Sequence, residues 1–421
     1  MNTYPDSVRF LYSLGNEVRA VKFGLETIER VLAELGHPER ACRIIHVAGT
    51  NGKGSTCAML ESALRAAGER SGLYTSPHLV QPTERIRIGG AAVSESEFST
   101  AFDEVHAASE KLLARGAIEN HPTYFETVTA MAFLLFRQHE CTRAVLEVGL
   151  GGRLDATNVV VPELCVITPV DYDHESFLGS AIEQIAAEKA GILKPGIPLV
   201  LAKQRSEAEA VIQHRAAELS CPVFRVADEP PIDVDTSESG SEIHWRDMSL
   251  RCPLAGAHQV DNTLTAALAL TKLGVPREAI ENGIAEARWP GRLQRVATSP
   301  DIILDGAHNP AGMRALAEHI RHFYPHRKVW LIYGTMRDKS IGEIADTLFP
   351  LAHELILTAP DSPRALDPRA LLTISGHAKA RVASNLTSAL EITRREAAAQ
   401  DVIFISGSLY LVGEALTLFV Q

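Results

Sequence analysis

Short apolar runs rich in β-branched residues alternate along this chain with longer stretches whose apolar residues recur every three or four positions. The short runs predict buried strands, and they lie at RIIHVAG (43–49), RSGLYTSP (70–77), RAVLEVGL (143–150), ELCVITPV (163–170) and IPLVLAK (197–203). The longer stretches predict helices at TCAMLESALRAAG (56–68), FETVTAMAFLLFRQH (125–139), SAIEQIAAEKAG (180–191) and HQVDNTLTAALALTKLG (258–274). Such alternation predicts a mostly parallel sheet with helices on both faces.

The alternation is interrupted once and then resumes. Residues 204 to about 250 are polar, acidic and rich in turn formers, which predicts either a small β excursion or an exposed insertion; the acidic part, 226–248, suggests no function. The Pro-Gly pair in WPGRLQR (289–295) breaks any helix. Four more apolar runs follow, at DIILDGAH (301–308), KVWLIYGT (328–335), HELILTAP (353–360) and DVIFISGS (401–408). We therefore predict an α/β domain at 1–291 and a smaller, Rossmann-like α/β domain at 297–421.

Length and charge narrow the class of protein. A chain of 421 residues is too long for one small core. Its 41 basic and 52 acidic residues give a net charge of −11, which argues against general nucleic-acid binding but not against a local basic pocket. The first residues have no signal-peptide core, and no apolar run is long enough for a membrane span. The six cysteines form no CxxC pair, so we expect reduced thiols in a cytoplasmic protein rather than disulfides or a cysteine zinc site.

The stretch VAGTNGKGST (47–56) joins the first predicted strand to a helix. It departs from the usual phosphate-loop pattern, because Val47 stands at the first glycine position and Gly54 follows the lysine. Its glycines nevertheless permit a tight turn that points N–H groups inward, and the helix start adds positive charge. Lys53 would meet the β- and γ-phosphates, and Ser55 or Thr56 would offer a hydroxyl. The alternative is a plain strand-to-helix turn with a surface lysine.

Several polar residues follow the other predicted strands: Ser76, His78, Glu147, Asp171, Asp173 and His174. Open α/β sheets bind ligands beyond the carboxyl ends of their strands, so these side chains are expected to face the glycine-rich loop. A carboxylate and a hydroxyl suit the Mg²⁺ that accompanies ATP, whereas a histidine ligand is unusual. His174 is alternatively an ordinary surface histidine. Cys57, at the helix start, is either a packing residue or an activated thiol.

Seven motifs occur in an order that resembles one family. They are GTNGKGS, TSPHL, EVGLGGRLDATN, DHxxxLG, EKAGI, PGR and DGAHNP. Together they resemble the dihydrofolate synthase/folylpolyglutamate synthase family, relatives of the Mur ligases. The resemblance implies a P-loop domain like the Mur ligase central domain, followed by a C-terminal domain on the glutamate side.

The resemblance also implies roles for individual residues. The nucleotide would be bound by Gly49, Thr50, Asn51, Gly52, Lys53, Gly54, Ser55, Asn262 (adenine), Arg292 (phosphates) and Asp305 (ribose). Magnesium would be held by Ser76, Glu147 and His174. Lys189 would carry a carbamate bearing on a second Mg²⁺, unless it is an ordinary solvated lysine, and His308 would lie near the incoming glutamate. The pterin-bearing substrate would contact Phe23, Gly24, Leu25, Thr123, Tyr124, Phe125, Glu126, Leu154, Asp155 and Ala156.

The implied activity is an ATP-dependent amide ligation that proceeds through an acyl phosphate. Lys53, Lys189 and His308 would be its catalytic residues. The expected partners are dihydropteroate, reduced folates, L-glutamate and ATP, with no nucleic acid and no membrane; we expect a monomer, two Mg²⁺ ions and possible use of a monovalent cation. Two other classes stay open: a Mur-type ligase acting on cell-wall precursors, and a non-enzymatic P-loop switch. The sequence does not decide whether one or both glutamate additions are performed.

Overall fold

The computed structural model describes residues 3–15, 24–337 and 341–419. The chain forms two compact units. The first comprises residues 1–231 and 261–287, and the second comprises 232–260 and 288–421. The predicted domains instead assigned 232–260 to the first domain; those boundaries remain a prediction that truncation can test. No helix in the described ranges is long and apolar enough to cross a membrane.

The first unit is built on an eight-stranded sheet. Its strands are β1 (Arg43–Ala48), β2 (Ser71–Tyr74), β3 (Ile86–Ile88), β4 (Ala91–Ala92), β5 (Arg143–Glu147), β6 (Leu164–Ile167), β7 (Leu199–Leu201) and β8 (Val223–Arg225). Their order is β4-β3-β2-β5-β1-β6-β7-β8, and all neighbours from β2 to β8 pair in parallel. The prediction of a mostly parallel sheet is confirmed, and the carboxyl ends of β2, β5, β1 and β6 lie side by side.

Helices complete the first unit. They are α1 (Tyr4–Ser13), α2 (Glu26–Glu34), α3 (Lys53–Ala66), α4 (Glu95–Ala114), α5 (Tyr124–Gln138), α6 (Glu175–Leu178), α7 (Ile182–Ala190), α8 (Ser206–Glu218), α9 (His258–Lys272) and α10 (Arg277–Glu286). The first turn of α9 belongs to the second unit. One apolar core joins α1, α2, α4 and α5 to the sheet, and another joins α7 and α8 to β6 and β7. All six cysteines are free, as predicted.

A small antiparallel sheet fills the interruption in the α/β pattern. Its strands are β9 (Asp233–Ser237), β10 (Gly240–Trp245) and β11 (Met248–Cys252). Side chains alternate between buried and exposed along β10 and β11, with Ile243, Trp245 and Leu250 inside. Of the two sequence-based alternatives, the β excursion is therefore correct.

The second unit contains a six-stranded sheet in the order β12-β13-β17-β14-β15-β16. Its elements are β12 (Gln294–Ala297), β13 (Asp301–Asp305), α11 (Pro310–Phe323), β14 (Val329–Tyr333), α12 (Ile341–Leu348), β15 (Glu354–Leu357), α13 (Pro368–Ser375), β16 (Ala380–Val382), α14 (Leu386–Glu396), β17 (Val402–Ser406) and α15 (Leu409–Phe419). Only β12 pairs antiparallel, so the four runs predicted as strands form a parallel, Rossmann-like sheet.

Candidate active site

The glycine-rich loop leaves β1 and enters α3 at Lys53. Gly52 is the residue before the helix and has φ +82°, a left-handed conformation that disfavours a side chain. A Cβ on Gly49 would lie 1.8 Å from Thr168 Oγ1, and one on Gly52 would lie 2.2 Å from Asn262 Oδ1. Glycine is therefore required at both positions for packing as well as for conformation.

The segment after β6 fixes the outer side of this loop. Pro169 O accepts from the N–H groups of Thr50 and Asn51 at 3.0 and 3.2 Å. The Thr50 hydroxyl donates to Asp171 O at 2.9 Å and lies 3.1 Å from the Asp171 N–H. These contacts preorganise the loop. Gly54, Ser55 and Thr56 form the first turn of α3, and the Thr56 hydroxyl is buried without a hydrogen-bond partner in the described chain.

Two lysine amines converge on the same loop. Lys53 Nζ donates to the carbonyls of Gly49 and Thr50 at 3.1 and 3.2 Å, and Lys189 Nζ donates to Gly49 O at 2.8 Å. Lys189 lies on α7 and is 4% exposed, so the interpretation as a solvated lysine is wrong. Burial is the main cause that lowers the pKa of Lys189 to about 7; the charge of Lys53 lowers it further, and Asp173 and Asp155 oppose the shift.

The carboxyl ends of β2 and β5 bring Ser76 and Glu147 into direct contact. Glu147 ends β5, is 4% exposed, and its Oε2 accepts from the Ser76 N–H at 3.1 Å. Farther along the edge, His174 precedes α6 in a left-handed conformation, with φ +52°. Its N–H donates to Asp173 Oδ1 at 2.9 Å, and its Nε2 lies 3.9 Å from Asp173 Oδ2. The edge thus offers oxygen ligands that suit Mg²⁺.

The start of α5 is shaped by a capping box. The Thr123 hydroxyl accepts from the Glu126 N–H at 3.2 Å, and the Glu126 carboxylate accepts from the Thr123 N–H at 2.7 Å. Both polar side chains therefore have a structural task at the helix start. The Phe125 ring packs directly on the loop after β5, because a Cβ added to Gly149 would lie only 2.6 Å from Phe125 Cζ.

Sequence reasoning missed two residues beside Tyr124. Tyr12 stacks on Tyr124 with ring centroids 5.7 Å apart, and the Arg85 guanidinium lies 5.1 Å from the Tyr124 centroid. Arg85 Nε also donates to His78 Nδ1 at 2.8 Å. Burial and the Arg85 charge lower the pKa of His78 to about 3, so the imidazole is neutral. The only sequence signal for Arg85 was the polar PTER stretch (82–85), and Tyr12 had none.

The loop at 149–157 is organised around the Asp155 carboxylate. It accepts from the N–H groups of Gly149, Leu150 and Thr157, each at 3.0 Å, and from the Thr157 hydroxyl at 2.5 Å. His46 Nε2 lies 2.8 Å from that hydroxyl. Asp155 therefore holds the loop that follows Glu147. Its neighbours Leu154 and Ala156 lie half-buried and buried, respectively, and Ala156 begins a short 3₁₀ turn.

The remaining substrate predictions concern the segment before α2. Phe23 lies outside the described residues. Gly24 and Leu25 immediately precede α2 and are half-buried. Their predicted contact with the pterin-bearing substrate stays a prediction.

Three predicted residues are brought together within the second unit. Asp305 ends β13, and its carboxylate accepts from the N–H groups of Leu293 and Ala307 at 3.0 Å each. A Cβ on Gly306 would lie 2.4 Å from Arg292 Nη1, and His308 Nδ1 lies 2.8 Å from Gly306 O. Burial raises the pKa of Asp305, although the charge of Arg292 opposes the shift.

Cys57 has none of the properties of an activated thiol. The side chain is fully buried within α3, and burial raises the pKa of the thiol well above its ordinary value. The alternative of covalent catalysis by Cys57 is therefore not supported.

Comparisons with known proteins agree with this geometry. Residues 47–270 match the Mur ligase middle domain, and residues 291–409 match the Mur ligase glutamate ligase domain. The chain is 35% identical to the dihydrofolate synthase/folylpolyglutamate synthase of Bacillus subtilis, covering 94% of both chains. It is also 35% identical to the Escherichia coli protein of that name, covering 94% of this chain and 92% of the relative.

Solved structures give the same result. A Mycobacterium tuberculosis folylpolyglutamate synthase complexed with ADP and AMPPCP superposes with a TM-score of 0.89, at 31% identity over 99% of both chains. Escherichia coli FolC in complex with DHPP and ADP superposes with a TM-score of 0.87, at 32% identity over 99% of both chains. The chain therefore belongs to the dihydrofolate synthase/folylpolyglutamate synthase family of ATP-dependent glutamate ligases, which is built from Mur ligase domains.

Proposed function

We propose that this protein adds L-glutamate both to dihydropteroate and to the glutamate tail of reduced folates, using ATP. The observation that carries the proposal is the arrangement at one sheet edge. A glycine-rich loop with Lys53 at the start of α3 neighbours the strand ends that bear Ser76 and Glu147. The loop would take the ATP phosphates, and the adjacent carboxylate would take their metal ion.

The reaction has two steps. A carboxylate oxygen of the acceptor attacks the γ-phosphorus of ATP and ADP leaves, which gives an acyl phosphate. The glutamate amine then attacks the acyl carbon, the amide bond forms, phosphate leaves and the amine loses a proton. Neither step needs a nucleophile from the protein, so positioning and charge neutralisation are the main tasks of its residues.

The residues of the first unit divide these tasks. Backbone N–H groups at 52–55 and the Lys53 amine would bind phosphate oxygens, since the N–H groups of Thr50 and Asn51 already donate to Pro169 O. Asn262, whose side chain lies against Gly52, would meet the adenine. Ser76, Glu147 and His174 would hold Mg²⁺. When bound, the ion neutralises phosphate charge. The neighbouring Lys53 amine would supply further positive charge around the loop.

Lys189 is the proposed site of a carbamate. Because burial lowers the pKa of this amine to about 7, a substantial share is neutral near neutral pH. A neutral amine can add CO₂ and lose one proton, which replaces a cation by an anionic oxygen ligand for a second Mg²⁺. In the second unit, Arg292 would contact phosphates, Asp305 the ribose, and His308 the incoming glutamate.

The pterin-bearing substrate is proposed to contact the start of α5 and the loop at 149–157. The half-buried Phe125 would supply aromatic surface, and Arg85, beside the buried Tyr124, would supply positive charge. Thr123, Glu126 and Asp155 would act by fixing those segments. The structure of Escherichia coli FolC contains DHPP. This supports the proposal that the present chain also accepts dihydropteroate, the shorter of the two acceptors. Cytoplasmic location, a monomeric state and use of a monovalent cation stay predictions.

The test is an assay with purified protein, ATP, Mg²⁺ and glutamate. Dihydropteroate and a reduced monoglutamyl folate are supplied separately, and products are identified by mass. We expect one added glutamate on dihydropteroate, at least one on the folate, and phosphate release that needs both acceptor and glutamate. Product from only one acceptor would restrict the protein to a single activity. Reaction only with a nucleotide-linked peptide would indicate the Mur-type alternative.

A further inference from the structure

Two histidines and a glutamate that have no assigned part in the ligase reaction converge beside the segment leading into α5. His106 and Glu110 are one turn apart on α4, and His121 lies between α4 and α5. His121 Nε2 is 3.0 Å from Glu110 Oε1, and His106 Nε2 is 3.9 Å from the same oxygen. One ligand atom from each side chain lies within 4.8 Å of the other two, and residues 3–15, 24–337 and 341–419 contain no other such group.

Aromatic packing holds both imidazoles in place. The two rings lie 5.5 Å apart with planes only 14° from parallel. Phe10 contacts each ring edge-on, at 4.7 and 5.5 Å between centroids, and Phe102 stacks on His106 at 5.5 Å. His106 and His121 are 27% and 28% exposed, and Glu110 is 55% exposed. The cluster is therefore ordered on its inner side and accessible to solvent on its outer side.

We propose that His106, Glu110 and His121 form a binding site for a zinc-class divalent transition-metal ion. Two imidazoles and one carboxylate are a common zinc ligand set, with water in the fourth position. Zinc–nitrogen bonds of about 2.0–2.1 Å place tetrahedral ligand atoms roughly 3.3 Å apart. The two measured separations of 3.0 and 3.9 Å lie on either side of that value. Small side-chain rotations would bring both Nε2 atoms to that spacing from Glu110 Oε1, and all three ligand atoms already lie within 4.8 Å of one another.

Ligand chemistry separates this site from the proposed magnesium site. Mg²⁺ prefers oxygen ligands and gives up its water reluctantly, whereas imidazole suits zinc, copper and nickel. A bound ion would tie α4 to the segment that leads into Thr123, the residue before α5. Zinc should therefore stabilise the folded chain, because an ion that binds only the folded state raises its stability by mass action.

Equilibrium dialysis of the EDTA-treated full chain against ZnCl₂, with Mg²⁺ in excess, tests the site. The unaltered protein should bind one zinc equivalent at this site. We expect His106→Ala and His121→Ala each to lose that equivalent, or to bind it at least about 100-fold more weakly. His214→Ala is the matched control. His214 and Glu218 also lie one turn apart, with 3.3 Å between Nε2 and Oε1, but form no three-residue group among the described residues. This control should retain the full zinc stoichiometry.

A second measurement identifies the ligands. Co²⁺ bound at this site should give the visible absorption of a nitrogen- and oxygen-ligated ion without thiolate charge transfer, and His121→Ala should abolish it. Thermal unfolding without metal checks that each variant folds. Zinc binding that is identical in the unaltered protein, His106→Ala and His121→Ala would overturn the proposal. So would a Co²⁺ spectrum dominated by cysteine thiolates and unchanged in the variants.

Discussion

The Lys53 amine is fixed in position by hydrogen bonds to backbone carbonyls rather than by an acidic side chain. Among the described residues this amine donates only to the carbonyls of Gly49 and Thr50, within the loop that the proposal assigns to ATP. Both acceptors are neutral backbone carbonyls, so the fold does not depend on an ion pair between this amine and another described residue. Its contribution should therefore be to the reaction rather than to stability.

We expect Lys53→Ala to lower turnover at least about 100-fold, comparable to removing one preorganised donor from a developing negative charge. Its melting temperature should stay within a few degrees of the unaltered protein. Steady-state phosphate release and thermal unfolding measure the two effects. Lys203→Ala is the control, since that half-exposed lysine pairs with Asp261 at 2.7 Å and has no proposed role in the reaction. Normal turnover in Lys53→Ala would contradict the phosphate-loop assignment.

His46 couples the interior of β1 to the loop that follows Glu147. It is fully buried and adjoins Thr157, which in turn donates to Asp155. Burial lowers the pKa of His46 to about 3 from an ordinary value of 6.5. Between these pH values the unfolded chain binds a proton that the folded chain does not. Stability from this residue is therefore complete above pH 6.5 and is lost as the pH falls toward 3.

A His46→Gln variant, which cannot titrate, should show a shallower loss of stability in acid. Between pH 6.5 and pH 5 the unaltered protein should lose about 2 kcal/mol more than the variant, at about 1.4 kcal/mol per pH unit. Urea unfolding of both proteins at several pH values measures this difference. If the free energies of unfolding of the two proteins change in parallel with pH, His46 is protonated to the same extent in the folded and unfolded chains, and its pKa is not lowered by folding.

At the scale of elements, α10 lies directly against the helix that begins with Lys53. A Cβ on Gly283 of α10 would lie 2.2 Å from Ala63 Cα and 2.5 Å from Ala63 N on α3. These are backbone atoms, so a side chain at Gly283 cannot be accommodated by rotamer changes. The close approach of the two helices depends on this glycine.

Gly283→Ala should therefore destabilise the protein by at least about 2–3 kcal/mol, in the range of overpacked cores. Gly342→Ala, in α12, makes the same chemical change where a Cβ would meet nothing within 4 Å. That control should leave stability unchanged or raise it by up to about 1 kcal/mol, since alanine favours helix. Denaturant unfolding of both variants gives the comparison, and equal effects would contradict the close approach of α10 to α3.

At the scale of the whole molecule, the chain leaves its first unit and returns to it. Residues 232–260, which carry β9–β11, are grouped with the second unit. Glu238 pairs with Arg295 at 2.6 Å, and Ala255 shares an apolar core with Leu293 and Met313. The small sheet therefore has its packing partners in the second unit.

A fragment ending at residue 291, the predicted boundary, would retain this sheet without those partners. We expect it to aggregate and to bind a hydrophobic dye more strongly than residues 1–287 with 232–260 replaced by a short Gly/Ser linker. Size-exclusion chromatography and dye fluorescence compare the two fragments. If both behave alike, the β9–β11 sheet is independent of the second unit.

Local sequence patterns determined the elements and the candidate loop. Apolar periodicity located nine strands, among them β1 and β17, because buried strands and helices need apolar residues at fixed spacing. It missed short strands such as β3 (Ile86–Ile88) and β16 (Ala380–Val382). The glycines around Lys53 predicted the candidate phosphate loop, since chain direction and turn geometry are local properties. The pairing of 232–260 with the second unit has no local signal, because it depends on contacts between residues distant in sequence.

The sequence by itself determined the α/β class, the glycine-rich loop and, through its ordered motifs, the family. Only the tertiary structure decided how the side chains meet. It buried Lys189 against Gly49 O, placed Arg85 beside Tyr124, and turned the Asp155 carboxylate toward its own loop. Burial and proximity arise when separate strands and helices pack together. They set the pKa values and contacts of these residues, and no local pattern encodes them.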